Sequence, residues 1–288
     1  MRVLVVAHVY YPRLWPELAA CVRNIDGTRD IVVTYGDEAA VEAARRDFPE
    51  ARFLRCENRG FDIWPFVAAL QSVDLSAYDA VVKLHTKRDI EKDHDWAFNN
   101  CRFNGAAWRN HLLAFCRTPE AWRRTAARLG DPKVGMVADR HVIVRRRDFP
   151  WQAVRNCFDD AIAELRAIDG CAAFDERTAQ YVSGTMFACR PEPLAFFLKH
   201  GFDAGMFEVS GHVPGSEPVL YVHVVENLLG LAVSGVGLRI VAFNGSLWWR
   251  RIYAPVRWRA FRIKETRNRW VVKAFGIPIA WKRKAAGG

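Results

Sequence analysis

The first ninety residues alternate short apolar runs, rich in β-branched side chains, with segments whose apolar residues recur at helical spacing. The runs Val3–Ala7, Asp30–Tyr35, Ala51–Arg55 and Ala80–Leu84 have the length and composition of buried strands. Between them, Ile63–Gln71 is the clearest helical segment. This alternation predicts an α/β fold, with a mainly parallel sheet flanked by helices.

Further along the chain the pattern is less regular. We interpret Gln180–Cys189 as one strand around Gly184, Leu220–Val233 as a helix and Leu238–Phe243 as a final strand. The apolar stretch from Leu228 to Phe243 is interrupted by polar residues and glycines, so we expect no transmembrane helix. The apolar run near the N-terminus is too short for the core of a signal peptide.

Composition changes near residue 245. From Arg250 to Lys284 there are twelve basic residues against one acidic residue, Glu265, and five of the eleven tryptophans lie between Trp248 and Trp281. This excess is larger than the formal net charge of +10 for the whole chain. We therefore divide the chain into a domain of residues 1–245 and a basic, Trp- and Arg-rich extension of residues 246–288.

Charge and cysteine content restrict the function classes. A net charge of +10 favours an anionic partner, which could be nucleic acid, acidic lipid or a phosphorylated substrate. The seven cysteines are scattered and include no C-x-x-C pair. That pattern argues against a disulfide framework or a zinc ribbon and favours reduced thiols in a cytosolic protein.

The fourth predicted strand ends in His85, Thr86 and Lys87. In open α/β sheets, ligands bind at the carboxyl ends of strands. Lys87 can neutralise a diphosphate as a point charge, and His85 can donate to a phosphate or bind a metal. The alternative is a strand end whose histidine and lysines are simply solvated.

A second motif, Asn58-Arg59-Gly60-Phe61-Asp62, lies between the third strand and the following helix. Gly60 permits a tight turn or the close approach of a ligand. The Asp62 carboxylate can cap the helix by accepting a backbone N–H. The alternative is a capped loop with no role in binding.

Two later motifs also allow more than one interpretation. Ser183, Gly184 and Thr185 form a small-residue patch that marks either the approach of a ligand or a bulge. His223 and Glu226 are three residues apart, on one face of a helix, where they suit proton transfer or metal ligation. No further metal partner for them is obvious in the sequence, and an acidic residue favourably placed near a helix N-terminus remains the alternative.

Taken in order, these motifs resemble the rhamnan synthesis protein F family of bacterial polysaccharide glycosyltransferases. The shared elements begin at His8-Val-Tyr-Tyr-Pro12 and continue through the four motifs above, over about residues 1–243. The basic extension lies outside the resemblance. One departure is the pair Ala188-Cys189, where the family usually has an aromatic residue.

The resemblance implies a GT-A-like, Rossmann-type glycosyltransferase. Ordinary GT-A enzymes carry a D-x-D sequence after the fourth strand, and its carboxylates hold a divalent metal on the nucleotide diphosphate. Here His85-Thr86-Lys87 stands in that place, so we expect a donor site that requires no metal cofactor. By the same resemblance Glu226 is the catalytic base and His223 supports it, with Asp62 as the reserve candidate.

The resemblance also implies the remaining site residues and partners. The donor is a nucleoside-diphosphate sugar, by family dTDP-L-rhamnose, and the acceptor is a hydroxyl of a lipid-linked surface polysaccharide or O-antigen. The resemblance further implies that transfer inverts the configuration of the sugar. The implied donor-binding residues are His8, Tyr10, Asp37, Asn58, Arg59, Gly60, Asp62, His85, Thr86 and Lys87. The implied sugar and acceptor pocket contains Ser183, Gly184 and Thr185.

The basic extension suggests a place of action. Tryptophan prefers the headgroup zone of a membrane, and basic residues are attracted to anionic lipid. We expect a cytoplasmic protein that associates peripherally with the inner membrane, unless the extension folds onto the domain as C-terminal helices. The competing functions are a non-catalytic sugar-nucleotide or glycan-binding domain and a nucleic-acid-binding protein, but the latter leaves the motifs of the first 243 residues unexplained.

Overall fold

The computed structural model describes residues 1–89, 96–98, 101–103, 106–145, 152–169, 179–209, 221–245, 261–266, 269–274 and 277–283. The chain divides into two compact units, residues 1–245 and residues 246–288. The strands are β1 (Arg2–Val9), β2 (Thr28–Tyr35), β3 (Arg52–Arg55), β4 (Ala80–His85), β5 (Trp96–Phe98), β6 (Cys101–Phe103), β7 (Val134–Ala138), β8 (Ile143–Arg145), β9 (Gln180–Val182), β10 (Phe187–Cys189), β11 (Arg239–Ala242), β12 (Phe261–Thr266), β13 (Arg269–Ala274) and β14 (Ile277–Arg283). The α-helices are α1 (Trp15–Arg23), α2 (Glu42–Asp47), α3 (Ile63–Gln71), α4 (Ala107–Leu113), α5 (Pro119–Leu129), α6 (Gln152–Asp169), α7 (Pro191–Lys199) and α8 (Tyr221–Gly235).

A seven-stranded sheet forms the centre of the first unit, in the order β3-β2-β1-β4-β10-β7-β11. Neighbouring strands are parallel except β10, which runs antiparallel to both β4 and β7. The predicted mainly parallel sheet flanked by helices is thereby confirmed. The strand order reverses between β1 and β4, and such a switch point opens a crevice at the carboxyl ends of the two strands.

The two central strands explain the apolar runs in the sequence. Residues Val3–Ala7 of β1 are buried throughout, because a strand covered on both faces has no solvent side. The register pairs Val3 with Ala80 and His8 with His85, so both histidines lie at the same end of the sheet. Lys83 breaks the apolar pattern of β4 and yet is only 1% exposed.

The single strand predicted over Gln180–Cys189 is wrong. The segment forms two strands, β9 paired with β8 in a separate ribbon and β10 in the main sheet. The chain changes direction between them through Gly184 (φ +75°) and Thr185 (φ +52°). A β-branched residue rarely adopts this left-handed conformation, so the turn is held by its surroundings.

Helix α8 lies directly against β9. A Cβ atom at Gly230 would stand 2.3 Å from Tyr181 Cα, so the absence of a side chain is what permits this approach. Glu226 is about one helical turn earlier on α8. This packing therefore brings Glu226 to the turn that connects β9 and β10.

The second unit contains β12, β13 and β14, which form an antiparallel three-stranded sheet. The described part of the extension is thus strand, and the C-terminal helices considered as an alternative are not found there. Among the described residues, no helix combines the length and the apolar character needed to cross a membrane.

Candidate active site

Four side chains from three elements meet beneath the carboxyl end of β4: Asp62, Lys83, His85 and Thr185, which we call the β4 cluster. Lys83 Nζ donates to Asp62 Oδ2 and, at 2.8 Å, to Thr185 Oγ1. The Thr185 hydroxyl in turn donates to Asp62 Oδ2 at 2.6 Å. Strand β4, the loop after β3 and the turn after β9 are therefore joined by one buried hydrogen-bond network.

Charge is balanced within this network. Burial lowers the pKa of Lys83, while the Asp62 carboxylate acts in the opposite direction. Burial alone would raise the pKa of Asp62, but Lys83, Lys87 and, in its protonated form, His85 outweigh burial and hold that pKa well below its usual range. Asp62 is consequently ionised at neutral pH, and its charge faces a lysine.

His85 is almost fully buried, at 2% exposure. Its Nδ1 lies 3.4 Å from Asp62 Oδ2, and within the described residues neither ring nitrogen has a partner in hydrogen-bond geometry. Burial lowers the pKa of His85 well below the usual histidine value. The imidazole is therefore neutral at physiological pH, and positive charge at this edge comes from lysine.

These residues do not suit a divalent cation at the end of β4. Among the described residues, two carboxylates act on Lys83: Asp62, which Lys83 already neutralises, and Glu226, whose pKa burial raises. Lys87 adds a second positive charge that acts on Asp62 and Lys83. A cation of the kind that a D-x-D sequence holds would meet a neutral imidazole and ammonium groups instead of free carboxylates.

His8 and Thr86 organise the end of β1. The His8 Nδ1 atom lies 3.1 Å from Thr34 Oγ1, and burial lowers the pKa of His8 to about 4. Thr86 Oγ1 accepts from the backbone N–H groups of Tyr10 and Tyr11, both at 2.9 Å. The segment after β1 is thus fixed to the end of β4, with the Tyr10 side chain 51% exposed beside it.

Arg109 of α4 anchors the segment that carries Lys87. It is 9% exposed, donates to the backbone carbonyl of Lys87 at 3.2 Å, and forms ion pairs with Asp89 and Glu17. The sequence motifs missed this residue, because its partners are far from it along the chain. The available signal was an arginine among the apolar residues that form the buried face of α4.

The loop of the second motif is held by distant backbone groups. Arg59 donates through Nη1 to the carbonyl of Phe207 at 3.0 Å and forms an ion pair with Glu57. The Gly60 N–H donates to the carbonyl of Glu208 at 3.0 Å. The Arg59 guanidinium thus has a structural role in fixing the loop, and the Asn58 side chain is exposed.

The prediction that Asp62 caps α3 is wrong. Asp62 occupies the N-cap position, but its side chain makes no capping hydrogen bond. The preceding Phe61 has a φ of +51°, and the carboxylate turns toward Lys83 instead. Capping is found at Asp37, whose carboxylate accepts from Ala39 N–H at 3.1 Å just beyond β2.

Glu226 is the second carboxylate near the strained turn. Its Oε1 accepts from the Gly184 N–H at 2.7 Å. Burial raises the pKa of Glu226, although His223 and this N–H act in the opposite direction. It is the sixth residue of α8, outside the first turn, so placement at the helix N-terminus does not account for it.

The two carboxylates therefore differ in proton affinity. Asp62 is held ionised by its lysine, whereas Glu226 is shifted toward the protonated form by burial. Pairs of acidic groups whose pKa values are pushed apart are typical of sites that move protons. Of the predicted residues, the structure joins Asp62 and Thr185 in one hydrogen-bond network through Lys83. It places His85 beside Asp62, pairs His8 with His85 in the strand register, and leaves Asp37 in a local turn.

Comparisons with known proteins agree with the motif order. The model of the family described as rhamnan synthesis protein F matches residues 1–235. The uncharacterized protein WxcX of Xanthomonas campestris pv. campestris is 26% identical over 248 residues, in each of two strains. That alignment covers 84% of this chain and 33% of WxcX, so the chain spans about a third of the length of these relatives.

Two solved structures resemble the chain weakly. The CMP:2-keto-3-deoxy-manno-octonic acid synthetase complexed with CTP has a TM-score of 0.39 at 11% identity, over 85% of this chain and 90% of that one. The glucosyl-3-phosphoglycerate synthase of Mycobacterium tuberculosis, in complex with Mn²⁺, UDP and glucosyl-3-phosphoglycerate, has a TM-score of 0.35 at 11% identity, over 98% and 90%. TM-scores of this size do not establish a shared fold.

Proposed function

This chain belongs to the rhamnan synthesis protein F family, and on that premise we propose that it is a glycosyltransferase. It moves a sugar from a nucleoside-diphosphate donor to an acceptor hydroxyl. The observation that carries the proposal is the pair of carboxylates with opposed pKa shifts, Asp62 and Glu226, on either side of the turn at Gly184. The pair lies at the switch point of the sheet, where open α/β sheets bind ligands.

Glu226 is the proposed general base for the acceptor hydroxyl. Its raised pKa suits a group that takes a proton near neutral pH, and the Gly184 N–H orients the carboxylate. His223, three residues earlier on the same helical face, tunes it. Asp62 is less suited to this step, because its charge is committed to Lys83.

The donor diphosphate binds at the end of β4, with Lys87 as its counter-charge. Thr86 fixes the neighbouring segment, and the exposed ring of Tyr10 is available to stack on the base. Since the residues here do not suit a divalent cation, donor binding is independent of metal. His8, Asp37, Asn58, Arg59 and Gly60 complete the proposed donor site, and Ser183, Gly184 and Thr185 line the sugar pocket.

We further propose L-rhamnose as the sugar, inversion at the transferred carbon, and a lipid-linked surface glycan as the acceptor. The family description, which names the synthesis of rhamnan, supports the choice of rhamnose. The basic extension supports attachment to the cytoplasmic face of a membrane. Sedimentation with anionic liposomes tests that attachment, and equal binding by the full chain and by residues 1–245 would contradict it.

The decisive experiment measures donor binding and transfer separately. Purified protein is titrated with a panel of nucleotide sugars, with and without EDTA, and then assayed for transfer to lipid-linked acceptors. We expect donor binding that survives EDTA and is weakened about tenfold by Lys87→Ala, because a charge-assisted contact of roughly 1.5 kcal/mol is lost. Lys133→Ala, which removes an exposed lysine before β7, is the matched control.

Glu226→Gln should lower the transfer rate by about 10²–10⁴-fold while donor binding is retained. Glu50→Gln, which changes an exposed carboxylate far from the site, should leave the rate unchanged. Normal turnover by a folded Glu226→Gln variant would refute the assignment of the base. Donor binding with no transfer to any acceptor would instead favour a sugar-nucleotide binding domain.

A further inference from the structure

A second group of ligating side chains lies at the same edge of the sheet, outside the site described above. His111 of α4, together with Asp139 and His141 in the segment after β7, forms what we call the β7 cluster. The Nδ1 atoms of His111 and His141 are 3.4 Å and 2.8 Å from the same oxygen, Asp139 Oδ1. One ligand atom from each residue lies within 4.8 Å of the others.

The separations of the two imidazole nitrogens from Asp139 Oδ1 suit coordination to one ion. Imidazole nitrogen and carboxylate oxygen bind zinc and similar ions at about 2.0–2.2 Å. Neighbouring ligand atoms in a tetrahedral or octahedral shell of that radius are roughly 3 Å apart, which is close to the two separations observed. A set of two histidines and one carboxylate is a recurring ligand set for divalent transition metals, and it leaves coordination positions open.

The carboxylate is held in place by groups behind it. Asn244 Nδ2 donates to Asp139 Oδ2 at 2.9 Å, while Oδ1 accepts from the backbone N–H of His141 at 2.7 Å and faces both imidazoles. Such outer partners fix the orientation of metal ligands.

The cluster is open to solution on one side. Asp139 is 2% exposed, whereas the side chains of His111 and His141 are 32% and 21% exposed. An ion can therefore approach past the imidazoles and reach the buried carboxylate. The β4 cluster differs here, since its carboxylate faces a buried lysine.

We propose that the β7 cluster binds one divalent transition-metal ion through His111, Asp139 and His141, with its remaining positions open to water or an oxygen ligand. Only β10 lies between β7 and β4 in the sheet, and strand spacing places the ion about 10 Å from the β4 edge. The ion is thus separate from the proposed donor diphosphate site. The inference does not depend on the proposed transferase activity.

The test measures metal binding directly on the full chain, expressed without a histidine tag and stripped with EDTA. Zn²⁺ and Mn²⁺ are titrated by calorimetry, and Co²⁺ is titrated while its visible absorption bands are recorded. We expect one equivalent of metal per chain, with Co²⁺ bands that report nitrogen and oxygen ligands. His141→Gln and His111→Gln should each weaken binding by at least about tenfold, and Asn244→Ala by about 10–100-fold through the loosened carboxylate.

His200→Gln is the matched control, because it removes a histidine at the end of α7 and should leave the stoichiometry and affinity unchanged. A substitution of buried Asp139 could prevent folding. The histidine variants avoid this problem, because the side chains of His111 and His141 are partly exposed. A wild-type protein that binds none of the three ions below about 100 µM would overturn the proposal. Equal binding by wild type and both histidine variants would overturn it as well, since the residues would then merely hydrogen-bond to one another.

Discussion

The β4 cluster and the β7 cluster place a carboxylate and imidazole groups at one edge of one sheet, yet they have different chemistry. In the β4 cluster the carboxylate of Asp62 faces the buried ammonium of Lys83, and His85 is neutral and almost fully buried. In the β7 cluster the carboxylate of Asp139 faces two partly exposed imidazoles, and an amide lies behind it.

The charge of the neighbouring groups decides what each carboxylate can do. A carboxylate neutralised by a lysine has little remaining attraction for a cation, while its charge pair can fix loops around a ligand site. A carboxylate bonded to imidazoles and an amide keeps its negative charge available, because these partners can be neutral. Substitutions in and around the two clusters test this contrast.

The largest effect is expected from Lys83→Met, which leaves the Asp62 charge buried without its partner. Breaking a buried ion pair costs about 3–5 kcal/mol of unfolding free energy. Urea unfolding measures the loss, and Lys133→Met, at an exposed lysine, should change the free energy by no more than about 0.5 kcal/mol. The double variant with Asp62→Asn should be more stable than Lys83→Met alone; if it is not, the two residues do not form a charge pair.

Gly184→Ala should destabilise the protein by about 2–4 kcal/mol, because left-handed strain adds to crowding. An added Cβ would lie 2.7 Å from Leu112 Cδ2 and 2.8 Å from Trp108 Cζ2. Gly201→Ala is the control, since it has a φ of +61° and no atom within 4 Å of the added Cβ. Similar losses in unfolding free energy for both variants would show that the turn is not crowded.

Stability should fall by about 2 kcal/mol between pH 7 and pH 5 through His8 alone. The folded-state pKa is about 4, below about 6.5 in the unfolded chain. The unfolded state therefore binds a proton first as the pH falls, and stability decreases until about pH 4. The unfolding free energy measured in urea should change less between pH 7 and pH 5 for His8→Gln than for the wild type. An equal change in the two proteins would contradict burial of a neutral His8.

The smallest effect without metal is expected from His111→Gln, because a partly exposed imidazole is replaced by another polar group. Its unfolding free energy should stay within about 1 kcal/mol of wild type. With Zn²⁺ at about a hundred times the dissociation constant, wild type should gain about 2.7 kcal/mol and the variant much less. Thermal unfolding with and without Zn²⁺ compares the two, and equal gains would remove the contrast between the clusters.

Local sequence patterns predicted the secondary-structure elements but not which residues of different elements lie next to one another. The boundaries of α3 and the strand that became β4 follow from apolar runs and periodicity, since burial on a sheet or helix face repeats locally. The contact between Asp62 and Lys83 could not be found this way, because helix α3 separates them in sequence. The register of His8 with His85 likewise depends on strand order, which one sequence does not specify.

Two features were missed for different reasons. The reversal at Gly184 and Thr185 was hidden because a threonine gives no signal for a positive φ, and tertiary contacts impose it. The β7 cluster left a partial signal, an aspartate and a histidine two residues apart at the end of a strand. His111 lies on a separate helix, so the third member of the cluster needs the fold.

The antiparallel strand β10 also has a consequence for how the chain is made. It separates β4 from β7, so β4 has an unpaired edge until residues 187–189 leave the ribosome. At ordinary rates of synthesis the intervening hundred or so residues take about 5–20 s. An exposed strand edge can pair with other chains. This protein is therefore most prone to aggregation, and most in need of chaperones, during the part of its synthesis in which the edge of β4 is still unpaired.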